Sequence, residues 1–353
     1  MRTSKYIFFL VLIAAVLAGV ASCKKDSAPP PVPAGNKTVL QSAIDSLTTV
    51  YNNSVGGSKP GNYAVGAREA LDTAIMLANA VISSKTFTQR EVDNALNNLE
   101  KAGEQFSTRL LQEVSVANLV AFWKFNGNTV DSSGHGHDGM LKSGYLGSTA
   151  ATAADGGVLP QPAVDRFGRA GMAYAFDQAA LVQVPYSTDL NPPSFTISMW
   201  VKMTANSNNS YMISLDRWHG YKFNLNGTGV PFLTVSTSAT GYDRDAGAVT
   251  VGAGVWTHLA VSYTDGTMKF YLNGDLVKTW TNTPGAAVTL GSPVDLSIGN
   301  ELPKEFYNLT NSASDNYYYG ASYFVGSMDD IRMYNKTLTD AEVLSIFIIE
   351  NTL

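Results

Sequence analysis

The nine residues Asp131-Ser132-Ser133-Gly134-His135-Gly136-His137-Asp138-Gly139 bring two carboxylates, two imidazoles and three glycines into one short stretch. Glycines at this spacing allow a tight loop in which carbonyls and carboxylates converge, and a hard cation such as Ca²⁺ takes about six to eight such oxygens. Asp131 is the candidate metal ligand of this loop. The two histidines, at i and i+2, have no third ligand nearby in sequence and do not make a zinc site. Acid–base chemistry is poorly provided for. Between residue 115 and the C-terminus the glutamates are Glu301, Glu305, Glu342 and Glu350. Glu342 reads as a helix cap and Glu350 lies at the end of the chain, which leaves Glu301 and Glu305 as a loop pair. No G-x-S-x-G occurs, and the single cysteine, Cys23, has no role as a nucleophile. No catalytic residue is expected.

Aromatic side chains offer a different chemistry. Tyr317-Tyr318-Tyr319 falls in a long polar insertion, residues 301–323, and Arg217-Trp218-His219-Gly220-Tyr221 marks another loop or strand end. Tyrosine and tryptophan stack on sugar rings while their polar edges hydrogen-bond. Tyr317, Tyr318, Tyr319, Trp218 and Arg217 are therefore the candidate ligand-binding residues. The competing use of each is to hold the insertion against a sheet.

The elements that must position these residues are read best from Trp256–Trp280, WTHLAVSYTDGTMKFYLNGDLVKTW. Asp265-Gly266 and Asn273-Gly274 are preferred two-residue hairpin turns, with φ > 0 required at both central positions. The first turn pairs Tyr263 with Met268, Val261 with Phe270 and Leu259 with Leu272. The second pairs Phe270 with Val277 and Tyr271 with Leu276. One apolar face results, carrying Leu259, Val261, Tyr263, Met268, Phe270, Leu272 and Val277. The other face is mixed and wetter, with His258, Ser262, Lys269, Asn273 and Lys278. A one-residue slip would invert every side chain, so the agreement fixes an antiparallel sheet with one buried face. Trp123 and Trp200 read as core, Trp256 as part of the mixed face.

W-T-H-L-A-V-S-Y, a turn, then M-K-F-Y-L-N-G resembles the central signature of bacterial laminin-G-like (concanavalin A-like lectin/glucanase) jelly rolls. Ala121–Gly139, Phe195–Val201 (FTISMWV) and Gly326–Leu338 (GSMDDIRMYNKTL) fit the same family in order. The resemblance covers about residues 117 to 350 and implies a mainly β, antiparallel jelly-roll sandwich; its hosts include lectins, adhesion modules and hydrolases. It also implies that the Asp131 loop lies against the Asp329-Asp330-Ile331-Arg332-Met333-Tyr334 strand. Asp329 then joins Asp131 as a calcium ligand, with calcium in a structural role. By alternation Asp329 shares the apolar face of Ile331 and Met333, where a carboxylate needs a partner. The metal-free alternative supplies Arg332 or a backbone turn.

The start of the chain is an address. Arg2 and Lys5 precede an apolar run from Ile7 to Val20, and Val20-Ala21-Ser22-Cys23 resembles a bacterial lipobox with Cys23 as the lipidated residue. Cleavage removes those two cations and no acid, moving the formal charge from −5 to −7, which argues against a nucleic-acid partner. The expected organisation is a signal peptide (1–22), a proline-rich tether (23–36), a three-helix bundle (37–114) and the jelly roll (115–353). The bundle rests on stripes at helical spacing: Leu40, Ile44, Leu47 and Tyr51; Leu71, Ile75, Ala78 and Ile82; Val92, Leu96, Leu99, Ala102 and Phe106. Thr88 with Glu91, and Thr339 with Glu342, form capping boxes. The bundle resembles FIVAR-type modules of bacterial surface proteins, which implies a spacer.

These observations lead to a lipid-anchored protein of the bacterial outer membrane or cell surface, on its outer or periplasmic side, that binds a glycan without catalysis. A protein-binding adhesion module and a glycoside hydrolase with a divergent site are the alternatives.

Overall fold

The computed structural model describes residues 34–114, 116–204, 209–291 and 293–352. Cys23 and the signal segment lie outside the described residues. Three helices come first: α1 (Thr38–Asn53), α2 (Ala67–Ser83) and α3 (Gln89–Ser107). Their expected stripes meet, with Leu40, Ile44, Leu71, Ile75, Ala78, Val92, Leu99 and Phe106 in one buried cluster. The Thr88–Glu91 capping box starts α3 as expected.

The rest is a sandwich of two antiparallel sheets. The first runs, in spatial order, Asp275–Thr283, Gly266–Leu272, Thr257–Thr264, Phe195–Met203, Gly326–Tyr334, Ala170–Phe176 and Gln161–Val164, with Leu119–Trp123 also paired to Gly326–Tyr334. The second runs Gly241–Asp245, Pro231–Ser236, Tyr221–Leu225, Ser210–Leu215, Leu296–Ile298, Ala180–Val184 and Met140–Ser143. Alternating apolar residues from both inner faces, among them Ile197, Met199, Phe223, Leu233, Val261 and Phe270, fill the space between. Trp123 is fully buried there, as its strand pattern required.

Both hairpins of the central meander form. The first has the expected register, Leu259–Leu272, Val261–Phe270 and Tyr263–Met268. Only Gly266 is left-handed there (φ 84°), so Asp265 does not adopt the expected positive φ; the Asn273-Gly274 turn has both (φ 50° and 81°). The second register holds at Tyr271–Leu276 and then slips at a bulge, so Phe270 faces Lys278 instead of Val277. The bulge lets both Val277 and Trp280 reach the core.

The expected wet face is largely dry. A fourth helix, α4 (Asp340–Glu350), starts at the Thr339–Glu342 capping box and lies against it. His258 and Tyr271 are buried, and Trp200 is core on this outer side, stacked on Phe347 at 5.6 Å and not between the sheets. Helix α4 is apolar on more than one side because it is covered twice. Val343 and Ile346 meet the sheet, while Leu344 meets Ala64 and Leu111 beside the helical bundle. Gln112 N donates to Ser345 Oγ at 2.7 Å across the same junction.

Candidate functional site

The site is built on the outer face of the second sheet. In Tyr221–Leu225 alternation sends Tyr221, Phe223 and Leu225 inward, which leaves Lys222 and Asn224 on the other face. The neighbouring strand carries a bulge, between the partners of Phe223 and Asn224, that puts both Met212 and Ile213 in the core. Tyr211 is thereby paired with Asn224 and turned outward beside Lys222, whose Nζ donates to Tyr211 Oη at 3.1 Å.

The turn between these strands presents the aromatic residues. Asp216 and Arg217 are consecutive non-glycine residues with positive φ, 52° and 31°. Such a backbone persists only where its surroundings over-determine it. The Arg217 side chain is fully buried; Nη1 lies 3.1 Å from Glu301 Oε2, an ion pair without hydrogen-bond alignment. Its Nη2 donates to the carbonyls of Tyr317 (2.8 Å) and Asp315 (3.2 Å). Arg217 thus ties the 301–323 insertion to the sheet and is not a free ligand contact. Its guanidinium lies over the Trp218 ring, 4.3 Å from the centroid.

Of the tyrosine run, Tyr319 is 59 % exposed and its ring lies 5.7 Å from that of Trp218, itself 42 % exposed. Tyr317 is half-buried and edges onto Tyr319. Tyr318 corrects the expectation. It is 1 % exposed, donates to the Gly147 carbonyl at 2.8 Å and packs edge-on against Tyr145 and Tyr307. Burial, then Glu301, pushes its phenol up to about 12. Gly320 (φ 126°) permits this close seating, because a Cβ there would stand 2.9 Å from the Ser148 carbonyl oxygen.

Trp218 and Tyr319 border a cavity of about 630 Å³, whose walls include Tyr211, Lys222, Glu301, Asn209 and Ser322. Glu301, 4 % exposed, accepts from Tyr211 Oη (3.2 Å) and Tyr307 Oη (3.0 Å) as well as pairing with Arg217. Burial, then Glu301, raises the Tyr307 phenol well above its ordinary range. Burial pulls the Lys222 amine below its ordinary value, with Glu301 and Asp243 opposing. Sequence reasoning weighed Glu301 only as half of a loop pair with Glu305; it missed Lys222 and Tyr211. The alternation of Y-K-F-N-L was the one available signal for Lys222. A cleft of similar size, about 660 Å³, lies between the bundle and α4, but its charged pair, Arg109 and Asp275, is already joined at 2.8 Å.

The two aspartates expected to share calcium belong to separate networks. Asp131 Oδ1 accepts from Phe122 N (2.9 Å) and Ser133 N (2.8 Å), and Oδ2 from Ser133 Oγ (2.7 Å) and His137 N (3.1 Å). Burial opposes ionisation, but these bonds hold the carboxyl below its ordinary value. The His137 carbonyl accepts from Trp123 Nε1 at 2.7 Å. Both oxygens of this carboxylate are thus engaged by donors of the protein itself. Asp329 is displaced from the apolar face by a bulge at Asp330 (φ 45°). Its partner is Arg166, not Arg332: the two nitrogens of Arg166 contact Asp329 and Asp330 at 2.7 Å each. Arg332 pairs instead with Glu350, the buried last residue of α4. Among the described residues no group of three His, Cys, Asp or Glu is placed to hold a metal. The residues fit the metal-free alternative.

Residues 176–344, a span that contains Trp218, Lys222, Glu301 and Tyr319, match the family model of the concanavalin A-like lectin/glucanases superfamily. Among solved structures, domain 4 of AbnA, an extracellular arabinanase from Geobacillus stearothermophilus solved with arabinotriose, is similar at 21 % identity and a TM-score of 0.47. That match covers 65 % of this chain and 98 % of the other. The binding domain of Paraclostridial Mosquitocidal Protein 1 is similar at 14 % identity and a TM-score of 0.44, over 66 % of this chain and 52 % of that one. The binding domain of botulinum neurotoxin DC in complex with SialylT gives the same identity, coverage and TM-score. This chain spans about half the length of those two toxin chains.

Proposed function

We propose that this protein is a non-catalytic glycan-binding lipoprotein that engages sugar rings on Trp218 and Tyr319. The observation that carries the reading is this pair of exposed aromatic rings beside a cavity with a polar floor, on a lectin-type sandwich. Rings of this kind bury sugar C–H surface, while Asn209, Ser322 and Lys222 offer hydrogen bonds to hydroxyls. The absence of catalysis is supported by the cavity wall, which has one carboxylate among its described residues. That carboxylate, Glu301, is occupied by Arg217, Tyr211 and Tyr307. Glycoside hydrolysis needs two, about 5 to 9.5 Å apart across the bond. Cys23 would carry the lipid, and the tether and bundle would hold the sandwich away from the bilayer at the bacterial surface.

Trp218→Ala and Tyr319→Ala are expected to weaken retention on a glycan array about fivefold each, at about 1 kcal/mol per stacking ring, with melting unchanged. Tyr318→Ala is expected to cost about 3–5 kcal/mol of stability instead. Undiminished retention of a bound glycan by the Trp218 and Tyr319 variants would overturn the assignment.

A further inference from the structure

Lys222 is more than nine-tenths buried in the cavity wall, and its ammonium group is incompletely satisfied. It has three donors, of which one goes to Tyr211 Oη at 3.1 Å. Among the described residues no carboxylate lies within ion-pairing distance of it. Lys269, Lys304 and Lys336 are each more exposed, yet each holds one, in Asp340, Asp155 and Glu342. The nearest acids are committed elsewhere: Glu301 to Arg217 and two phenols, Asp243 to Thr234 Oγ1. Glu301 is already paired with Arg217, which leaves Lys222 as a cation of the cavity wall with no ion-paired partner among the described residues.

A buried cation without an anion is costly, and an anion that enters its cavity offsets that cost. The Lys222 ammonium lies 5.9 Å from the Trp218 ring centroid, so a group bound to it stands next to whatever stacks on that ring. Resting on the glycan reading above, we propose that the cavity takes an acidic saccharide, whose carboxylate or sulfate group is bound by Lys222 Nζ. Stacking then selects the sugar ring and Lys222 selects its charge.

The test uses the full-length protein and a panel of matched oligosaccharides: uronic-acid and sialylated glycans beside their carboxyl-reduced forms, and sulfated glycans beside their desulfated forms. Retained glycans are expected to be acidic, and removal of the charged group should weaken retention about tenfold or more, as for a hydrogen bond to a charged group. Which of the two pairs shows the loss identifies carboxylate or sulfate. Lys222→Met should abolish the difference within a pair, while Lys222→Arg should preserve it. Equal retention of charged and neutral members by the unmutated protein would overturn this inference and leave the glycan reading standing, and that comparison needs no variant to fold. Retention of no member would overturn both.

Discussion

His258 gives a sharp test of how the first sheet is buried. Its ring is fully enclosed between Trp200 (5.4 Å) and Phe347 (5.7 Å), with Nε2 bonded to Ser198 Oγ at 2.8 Å. Burial, then the charges of Arg166 and Arg332, pushes the imidazole down from its ordinary value to about 3. The unfolded chain takes up a proton near pH 6.5, and the folded chain does not until about 3. Between these values the unfolded state binds more protons, so stability falls as the pH is lowered, by about 1.4 kcal/mol per pH unit. At about pH 5 the loss from this residue alone is about 2 kcal/mol. His258→Gln keeps a polar group toward Ser198 and cannot gain a proton in this range. Denaturant unfolding of both proteins between about pH 7.5 and 4.5 should show the variant's stability falling less steeply by about that slope. Glu350 and Asp329, raised by burial, act in the opposite sense: they stabilise as pH falls toward their unfolded values. Both proteins contain them, so their contribution drops out of the difference. Parallel curves for the two proteins would refute the claim that His258 is buried neutral.

The Asp131 loop should be indifferent to calcium, with the same melting curve in calcium and in chelator. Asp131→Ala should nevertheless cost about 2–4 kcal/mol, because its donors lose their acceptor; a calcium-dependent rise in melting that this variant abolishes would restore the metal reading. Cys23→Ser should move the protein from the membrane fraction to the soluble one, since a lipid chain contributes about 0.8 kcal/mol per buried CH₂. Unchanged partition, with no acyl group on the unmutated protein, would reject the lipid anchor.

What the sequence determined by itself was local. The hairpin turns, the first register, the two capping boxes and the helical stripes follow from backbone preferences and side-chain period, which act over a few residues. Trp218 was legible as a candidate because its ring offers an apolar face and a polar edge next to a loop or strand end. The tertiary structure decided everything that depends on a distant partner. Three adjacent tyrosines are the same to any local rule, yet Tyr318 is buried by Tyr145 and Gly147 while Tyr319 faces solvent. Asp329 was assigned to the wrong face because a bulge adds a residue that alternation does not count, and its partner, Arg166, is 163 positions away. Glu301 looked like a loop carboxylate until Arg217 closed on it. Lys222 sits where the pleat of its strand sends it, but its missing counter-charge arises from the arrangement of Glu301, Asp243 and their own partners. Electrostatic pairing and bulges are set by chain segments that meet only when the sheets close, and no local pattern encodes them.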